Sequence, residues 1–397
     1  MTPQPQTVPV TKSVDAEGEF QTGQVFTIVG GHFVHDTFSA FLAPLLPLII
    51  EKLSLSLTMA GSLWGVSQLP ALLSPFIGYL ADRLSLRYFL ILAPAVTATM
   101  MSLLGVAPNY LTLVILLLIA GVSTAAFHAP APPMIARISG KQLGKGMSIF
   151  MAGGELGRTV GPLLVVWTVS VWTLEGYYRI MVLGWLTSLI LFWRLRHIPA
   201  RSDQQQSVRA MLPAARRLFV PLLGVILPQA FMLTALAVYL PTYMTQQGAS
   251  LWIAGAALSI WELAGIGGAL LGGTLSDRVG RKTVLVAAMV SSSLLMFVFL
   301  NVSGWWLVPV LLALGFTSLS STPVMLAMVQ EGVSHNRAMA NGLFMSMSFL
   351  VRPLAAFIIG LLGDNFGLHT AFYIATVVAL LAIPMIHFLP HGNGQKP

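Results

Sequence analysis

The sequence predicts an all-α membrane protein, with twelve transmembrane helices arranged as two pseudo-symmetric six-helix bundles. Three observations predict it. The chain has 397 residues, of which 56% are hydrophobic and only 9% charged, with a mean hydropathy of +0.82. Soluble domains carry about 25% charged residues. Apolar runs near the roughly 20 residues needed to cross a bilayer core recur twelve times. A charged segment also repeats: GYLADRLSLR from Gly78 returns as GTLSDRVGRK from Gly273, which aligns Gly78 with Gly273, Asp82 with Asp277 and Arg83 with Arg278. A repeat flanked by apolar runs in both places marks two copies of one membrane unit.

Taken in order, residues 1–23 are rich in Pro, Thr and Gln and lack an apolar run. They read as a disordered cytoplasmic tail, because a signal peptide needs a basic start and a short apolar core. Spans 1–6 are expected at 25–50, 57–81, 88–107, 110–136, 146–170 and 178–196, forming an N-terminal bundle over 24–196. A polar cytoplasmic linker occupies 197–216. Spans 7–12 follow at 217–243, 250–276, 282–300, 304–330, 337–361 and 367–388, within a C-terminal bundle over 217–390, and 391–397 form a second cytoplasmic tail.

Orientation comes from Lys and Arg. With the N-terminus inside, 17 of the 21 fall in cytoplasmic segments, Lys52 and Arg179 lie outside, and Arg158 and Arg352 lie within spans. That asymmetry predicts a multi-pass protein of the inner (plasma) membrane with both termini cytoplasmic. It also accounts for the net charge of +8 without nucleic acid as a partner. Trp305, Trp306, Tyr177 and Tyr178 stand near outer span ends, as an aromatic belt would. The chain has no cysteine, so disulfides and thiolate chemistry are excluded.

The pattern G-x-x-x-D-R-x-G-R-[RK] between spans 2–3 and 8–9, with the 6+6 repeat and central linker, resembles the major facilitator superfamily over essentially the whole chain. The second copy is complete at Gly273, Asp277, Arg278, Gly280, Arg281 and Lys282; the first has Ser85 for the second Gly and Leu86 for the first Arg of the pair. Gly and Asp four residues apart share a helix face. The motif then reads as a gate latch: the Gly admits a neighbouring helix and the Asp meets its dipole or an Arg. Topology-setting loop charge is the alternative. More narrowly, GHFVHDTFSAFLAPLLPL from Gly31, GVSTAAFHAPAPPMIAR from Gly121 and GGELGRTVGPLL from Gly153 resemble the fosmidomycin-resistance group of drug exporters. Ala129 between His128 and Pro130, and the charged Glu155 and Arg158, depart from that group.

An ionisable group at membrane depth is costly, and is therefore a functional candidate. Asp36, Glu155 and Glu262 are the candidate proton-coupling carboxylates; His32, His128, Arg158 and Arg352 are the candidate substrate-binding side chains. His32 and Asp36 are one turn apart on span 1, with His35 adjacent; a structural hydrogen-bonded pair is the alternative. Glu155 and Arg158 are spaced to neutralise each other. The two arginines, 194 residues apart, occupy near-equivalent places in the two halves and are expected to face one another. Glu262 has no charged neighbour at helical spacing, so it is protonated or paired to another helix. Pro130, Pro132 and Pro133 predict a kink beside His128. Gly157-x-x-x-Gly161-Pro162 allows span 5 to pack closely and bend, and resembles the glycine-proline motif of proton-exchanging exporters, although Val165 replaces its trailing glycines. Met325, Met328, Met339, Met345 and Met347 read as packing or as an adaptable pocket lining.

No phosphate-binding loop, metal-spaced cluster or nucleophile elbow is present, and HFVHD alone is too isolated for a metal site. No enzyme activity, cofactor or metal is expected. The expected function is proton-coupled efflux of a small anionic or amphiphilic compound by a monomer using alternating access. The alternatives are proton-coupled uptake of a small organic anion, or a transporter-like sensor without flux. A sensor calls for a folded signalling domain, and only a tail and a short linker are outside the spans.

Overall fold

A computed structural model of the protein describes residues 19–73, 86–196, 212–332 and 337–390. Among these, every regular element is helical. Among the described residues, nine stretches are long and apolar enough to cross a membrane. Two of them turn back on themselves. Gly140–Leu195 contains Thr173 at φ 63°, which separates span 5 (Leu143–Gly176) from span 6 (Tyr177–Leu195). Arg337–Leu380 contains Gly367 at φ 78°, which separates span 11 from span 12, the latter ending at His387. Span 2 is described as Leu57–Leu73. These divisions account for twelve passes.

The other passes are span 1 (Thr22–Leu53), span 3 (Arg87–Val106), span 4 (Tyr110–Ile138), span 7 (Leu212–Gln246), span 8 (Leu251–Val279), span 9 (Arg281–Asn301) and span 10 (Gly304–Gly332). Three helix starts on the face opposite the termini are capped by side chains. Ser56 Oγ accepts from Met59 N at 3.1 Å, Asn109 Oδ1 from Thr112 N at 2.9 Å and Ser250 Oγ from Ile253 N at 3.3 Å, each satisfying an amide that the first turn leaves free. Span 4 breaks at Ala129–Pro130, as the proline run requires. Span 7 contains a π-helical turn at Ala235–Tyr239. It begins at Leu212, inside the stretch expected as linker.

Packing follows the repeat. Span 1 lies on span 5, and span 7 on span 11; spans 3 and 6 pair, as do 9 and 12; span 2 lies against span 4, and span 8 against span 10. The halves meet along two equivalent seams, span 2 with span 11 and span 5 with span 8. Membrane helices associate through small residues that let backbones approach, and the seams are built so. A Cβ on Gly61 would stand 2.4 Å from the Ala356 carbonyl, one on Gly360 2.5 Å from the Leu57 carbonyl, and one on Gly255 2.9 Å from Val166.

One element of the expected aromatic belt is absent. Trp305 and Trp306 are exposed, but Tyr177 is fully buried and its hydroxyl donates to the Met101 carbonyl at 2.5 Å. A phenol that finds a buried acceptor gains more there than at the interface.

Candidate functional site

Span 1 approaches span 5 along Gly153, Gly154, Gly157 and Gly161. A Cβ on Gly157 would lie 2.4 Å from the Phe33 carbonyl, and one on Gly161 2.5 Å from that of Thr37. This close approach, together with the kink in span 4, gathers side chains from four spans.

Asp36, buried at the centre, presents both oxygens. Oδ2 lies 3.3 Å from His32 Nε2 and 3.8 Å from Arg158 Nη1, while Oδ1 lies 3.5 Å from His128 Nε2. His32 Nδ1 donates to the Phe150 carbonyl at 2.8 Å and His128 Nδ1 to that of Thr124 at 2.9 Å. A carbonyl only accepts, so both Nδ1 atoms carry hydrogen and both Nε2 atoms face the carboxylate. The two Nε2 atoms are 3.2 Å apart. The His32 ring is stacked on Phe150 at 4.1 Å and beside Phe127 at 5.5 Å, which fixes its plane. His35 is also buried, but stacks face to face on Phe127 at 4.6 Å and joins no ion pair among the described residues.

Arg158 connects this group to the other half of the protein. Its guanidinium pairs with Glu155 one turn earlier on span 5, and its Nε lies 3.9 Å from Glu262 Oε2 on span 8. The Arg158 side chain is 43% exposed although it sits mid-helix. Glu262 thus has its partner on another helix. Arg352 is placed differently from Arg158. It lines a cavity of about 20 Å³ with Gln229, Thr322, Ser348 and Phe344, inside the second half. That volume holds about one water. It makes no ion pair within 4 Å among the described residues, and Glu262, Glu155 and Arg158 are its charged neighbours.

In the repeated motif, Gly78, Asp82 and Arg83 lie outside the described residues. In the second copy Arg281 is the hub. Its Nη2 meets Asp277 at 2.5 Å and Glu331, at the end of span 10, at 2.7 Å, and its Nη1 reaches Ser276 Oγ and the Gly273 carbonyl. Gly280 turns the chain at φ 99°, a conformation that favours glycine. Gly273 faces open space, whereas Gly272 and Gly268 pack on the Ser320 and Phe316 carbonyls of span 10. Arg278 is exposed.

The far-face seam was not singled out in the sequence. Asp364, on span 11, accepts from Leu57 N at 2.7 Å, from Thr58 N at 2.9 Å and from Thr58 Oγ1 at 2.5 Å. The Tyr239 hydroxyl stands between the Leu57 and Ala356 carbonyls at 3.0 and 2.8 Å. Gly65 continues the seam, where an added Cβ would stand 3.2 Å from Pro353 Cβ. Pro353 and Asp364 are eleven positions apart on one helix, about 16 Å of rise. The seam therefore closes about half the bilayer core, on the face away from the termini. Toward the termini, Gly144, Gly273 and Gly342 have no atom within reach of an added Cβ.

Sequence and fold comparisons agree with this architecture. The Major Facilitator Superfamily model matches residues 28–333 and 254–396. The fosmidomycin resistance protein of Escherichia coli (strain K12) is 24% identical, over 99% of both chains. The solved structure of a D-xylose-proton symporter superposes with a TM-score of 0.76 at 16% identity, covering 96% of this chain and 100% of that one. A bacterial homologue of the human lysosomal transporter Spinster, in its inward-facing and occupied conformation, gives 0.75 at 15% identity, covering 93% and 94%. A family match spanning both halves, on a chain built from two equivalent six-span units, has one reading: the chain belongs to the Major Facilitator Superfamily.

Proposed function

We propose that the chain is a proton-coupled exporter of small anionic or amphiphilic compounds, working by alternating access in the inner membrane with both termini cytoplasmic. Arg158 is the observation that carries this reading. One guanidinium is held among carboxylates of both halves, Asp36 and Glu155 on one side and Glu262 on the other. Its planar fork suits a substrate carboxylate or phosphonate. Neutralising Glu262 with a proton loosens the contact between the halves, so proton, substrate and rocking all act on one side chain. With termini inside, the closed far face makes this the cytoplasm-open state, ready to load cargo. The relative named for fosmidomycin resistance supports export.

Exchange requires that substrate and proton exclude one another. An amphiphile with a donor group on Glu262 and an acidic group on Arg158 does this. Electrostatics favours a second reading for a simple anion: a proton on Glu262 frees Arg158, so proton and anion bind together, which drives uptake.

Flux in proteoliposomes under an imposed pH gradient, across phosphonates, sugars and cationic dyes, separates the two. Export predicts movement opposite to the protons. Glu262→Gln should lose gradient-driven flux and keep substrate counterflow, which needs no net proton movement. Driven flux that survives in both Glu262→Gln and Asp36→Asn removes these carboxylates as carriers and leaves Glu155. Accumulation in the direction of proton flow replaces export with uptake.

A further inference from the structure

The three side chains at the centre of span 1 and span 4 have a geometry that substrate binding does not require. Nε2 of His32, Nε2 of His128 and the carboxylate of Asp36 face one gap, and the three donor atoms lie within 4.8 Å of one another. Their closest separations are 3.3 Å, 3.5 Å and 3.2 Å. A four-coordinate zinc with bonds of about 2.0–2.1 Å to nitrogen and oxygen spaces its donors about 3.3 Å apart. The edge between the two nitrogens matches that spacing, and Asp36 turns a different oxygen to each ring, Oδ2 to His32 and Oδ1 to His128, so a small turn of its carboxylate brings one oxygen to the third corner.

The orientation of the rings is the second observation. Each imidazole donates Nδ1–H to a backbone carbonyl, Phe150 for His32 and Thr124 for His128. That is the outer-shell arrangement that fixes the tautomer of metal-binding histidines and directs the Nε2 lone pair to the ion. With no proton on either Nε2, two nitrogen lone pairs and a carboxylate face one another at contact distance, an arrangement that a shared cation, a proton or a metal ion, relieves. Stacking on Phe150 and Phe127 holds the His32 ring in place. The charges agree. Asp36, Glu155 and Glu262 against Arg158 and Arg352 leave one net negative charge at mid-membrane. The fourth corner is accessible, because the His128 side chain is 40% exposed.

We propose that His32, Asp36 and His128 form a binding site for a divalent transition cation of the zinc, cobalt and nickel class, with the fourth coordination position open. Two imidazoles and one carboxylate select these ions over magnesium and calcium, which prefer oxygen donors. Proton and metal then compete for the same lone pairs, so binding weakens as pH falls. The site depends on the fold and three side chains alone, and not on the direction or coupling of transport.

The test uses purified, tag-free, chelator-stripped full-length protein in detergent. Addition of Co²⁺ should give the intense visible absorption of a four-coordinate ion, at one per chain, bleached by Zn²⁺. Zn²⁺ should raise Tm. His128→Gln and Asp36→Asn should weaken binding at least tenfold and cancel the rise in Tm, while His387→Gln, on the exposed end of the last helix, should leave both unchanged. Size-exclusion profiles report whether the variants fold; if neither does, the wild-type spectrum decides. A weak six-coordinate Co²⁺ spectrum, no saturable binding, or a band that persists in His128→Gln overturns the proposal. None of these outcomes bears on export, which the flux assay judges separately.

Discussion

Asp364 caps Thr58 across the molecule: a carboxylate on span 11 receives the Thr58 amide at 2.9 Å and its hydroxyl at 2.5 Å, with the Leu57 amide at 2.7 Å. The start of one half's helix is thereby satisfied by the other half. An anion is favoured at a helix N-terminus by the free amides and the dipole, so the contact is strong when closed and lost whenever the far face opens.

Asp364→Ala should therefore shift the population toward the state open on the far face. Losing hydrogen bonds to a charged group costs about 1.5–3 kcal/mol, roughly a ten- to hundredfold shift. A cysteine placed at the buried Ala60 in this cysteine-free chain should react faster with a membrane-impermeant thiol reagent by that factor. An unchanged labelling rate would show that the seam is held by the glycine contacts and Tyr239 alone.

Arg158→Lys should weaken binding of an anionic substrate about tenfold or more, because the ammonium keeps the charge but loses the bidentate fork. Arg352→Lys should cost less, since Arg352 lines a small separate cavity and makes no ion pair within 4 Å among the described residues. Binding titrations on both variants compare the two directly. Equal losses would place Arg352 on the substrate as well.

Gly154→Ala adds a methyl 2.4 Å from His32 Cε1 and 2.5 Å from its Nε2. The ring cannot swing aside, being held by Phe150 and Phe127. Overpacking of this kind costs about 1–3 kcal/mol. A lowered Tm together with lost gradient-driven flux is expected, whereas Gly144→Ala, which meets open space, should leave both intact.

Asp277→Asn should fold normally, because Arg281 keeps Glu331 at 2.7 Å, yet turn over more slowly if the motif latches the terminus-side gate in the opposite state. Transport rate and cysteine accessibility near Gly273 measure this. Wild-type values for both would leave the motif a topological signal.

The fold was legible because membrane depth imposes a period on hydropathy and charge. Twelve apolar runs, the repeated Gly-Asp-Arg segment and the Lys/Arg asymmetry all reflect that one constraint. Parts of the site were legible for the same reason, since Asp36, Glu155, Arg158 and Glu262 stand out against apolar neighbours. Their partners were not. His128 is distant from Asp36 in sequence, and only the glycine face of span 5 and the proline break in span 4 bring them together. Asp364 was missed because a carboxylate near a span end resembles ordinary loop charge. Gln229, a buried amide on span 7 that donates to Ser321, has a faint signal as one polar residue after Pro228. Arg158 and Arg352 are charged neighbours and share Glu155 and Glu262, but only Arg158 pairs with these carboxylates within 4 Å among the described residues, because equal sequence position does not mean equal surroundings. The carboxylates around Arg158 have no counterparts at equivalent positions beside Arg352.

The π-helical turn at Ala235–Tyr239 holds one residue more than an α-helical turn. Each residue of an α-helix advances the chain by about 100° around its axis. Rewinding this turn to regular α-helix with every residue kept must therefore swing one flank of span 7 through about that angle, whereas deleting the extra residue would leave both flanks facing as they do. Tyr239 would leave Leu57 and Ala356 by rotation about its own helix, with a shift of only about 1.5 Å along the axis. Span 7 thus contains a ratchet tooth at the closed face, and the spare residue stored there is what a rotation of the helix would draw on.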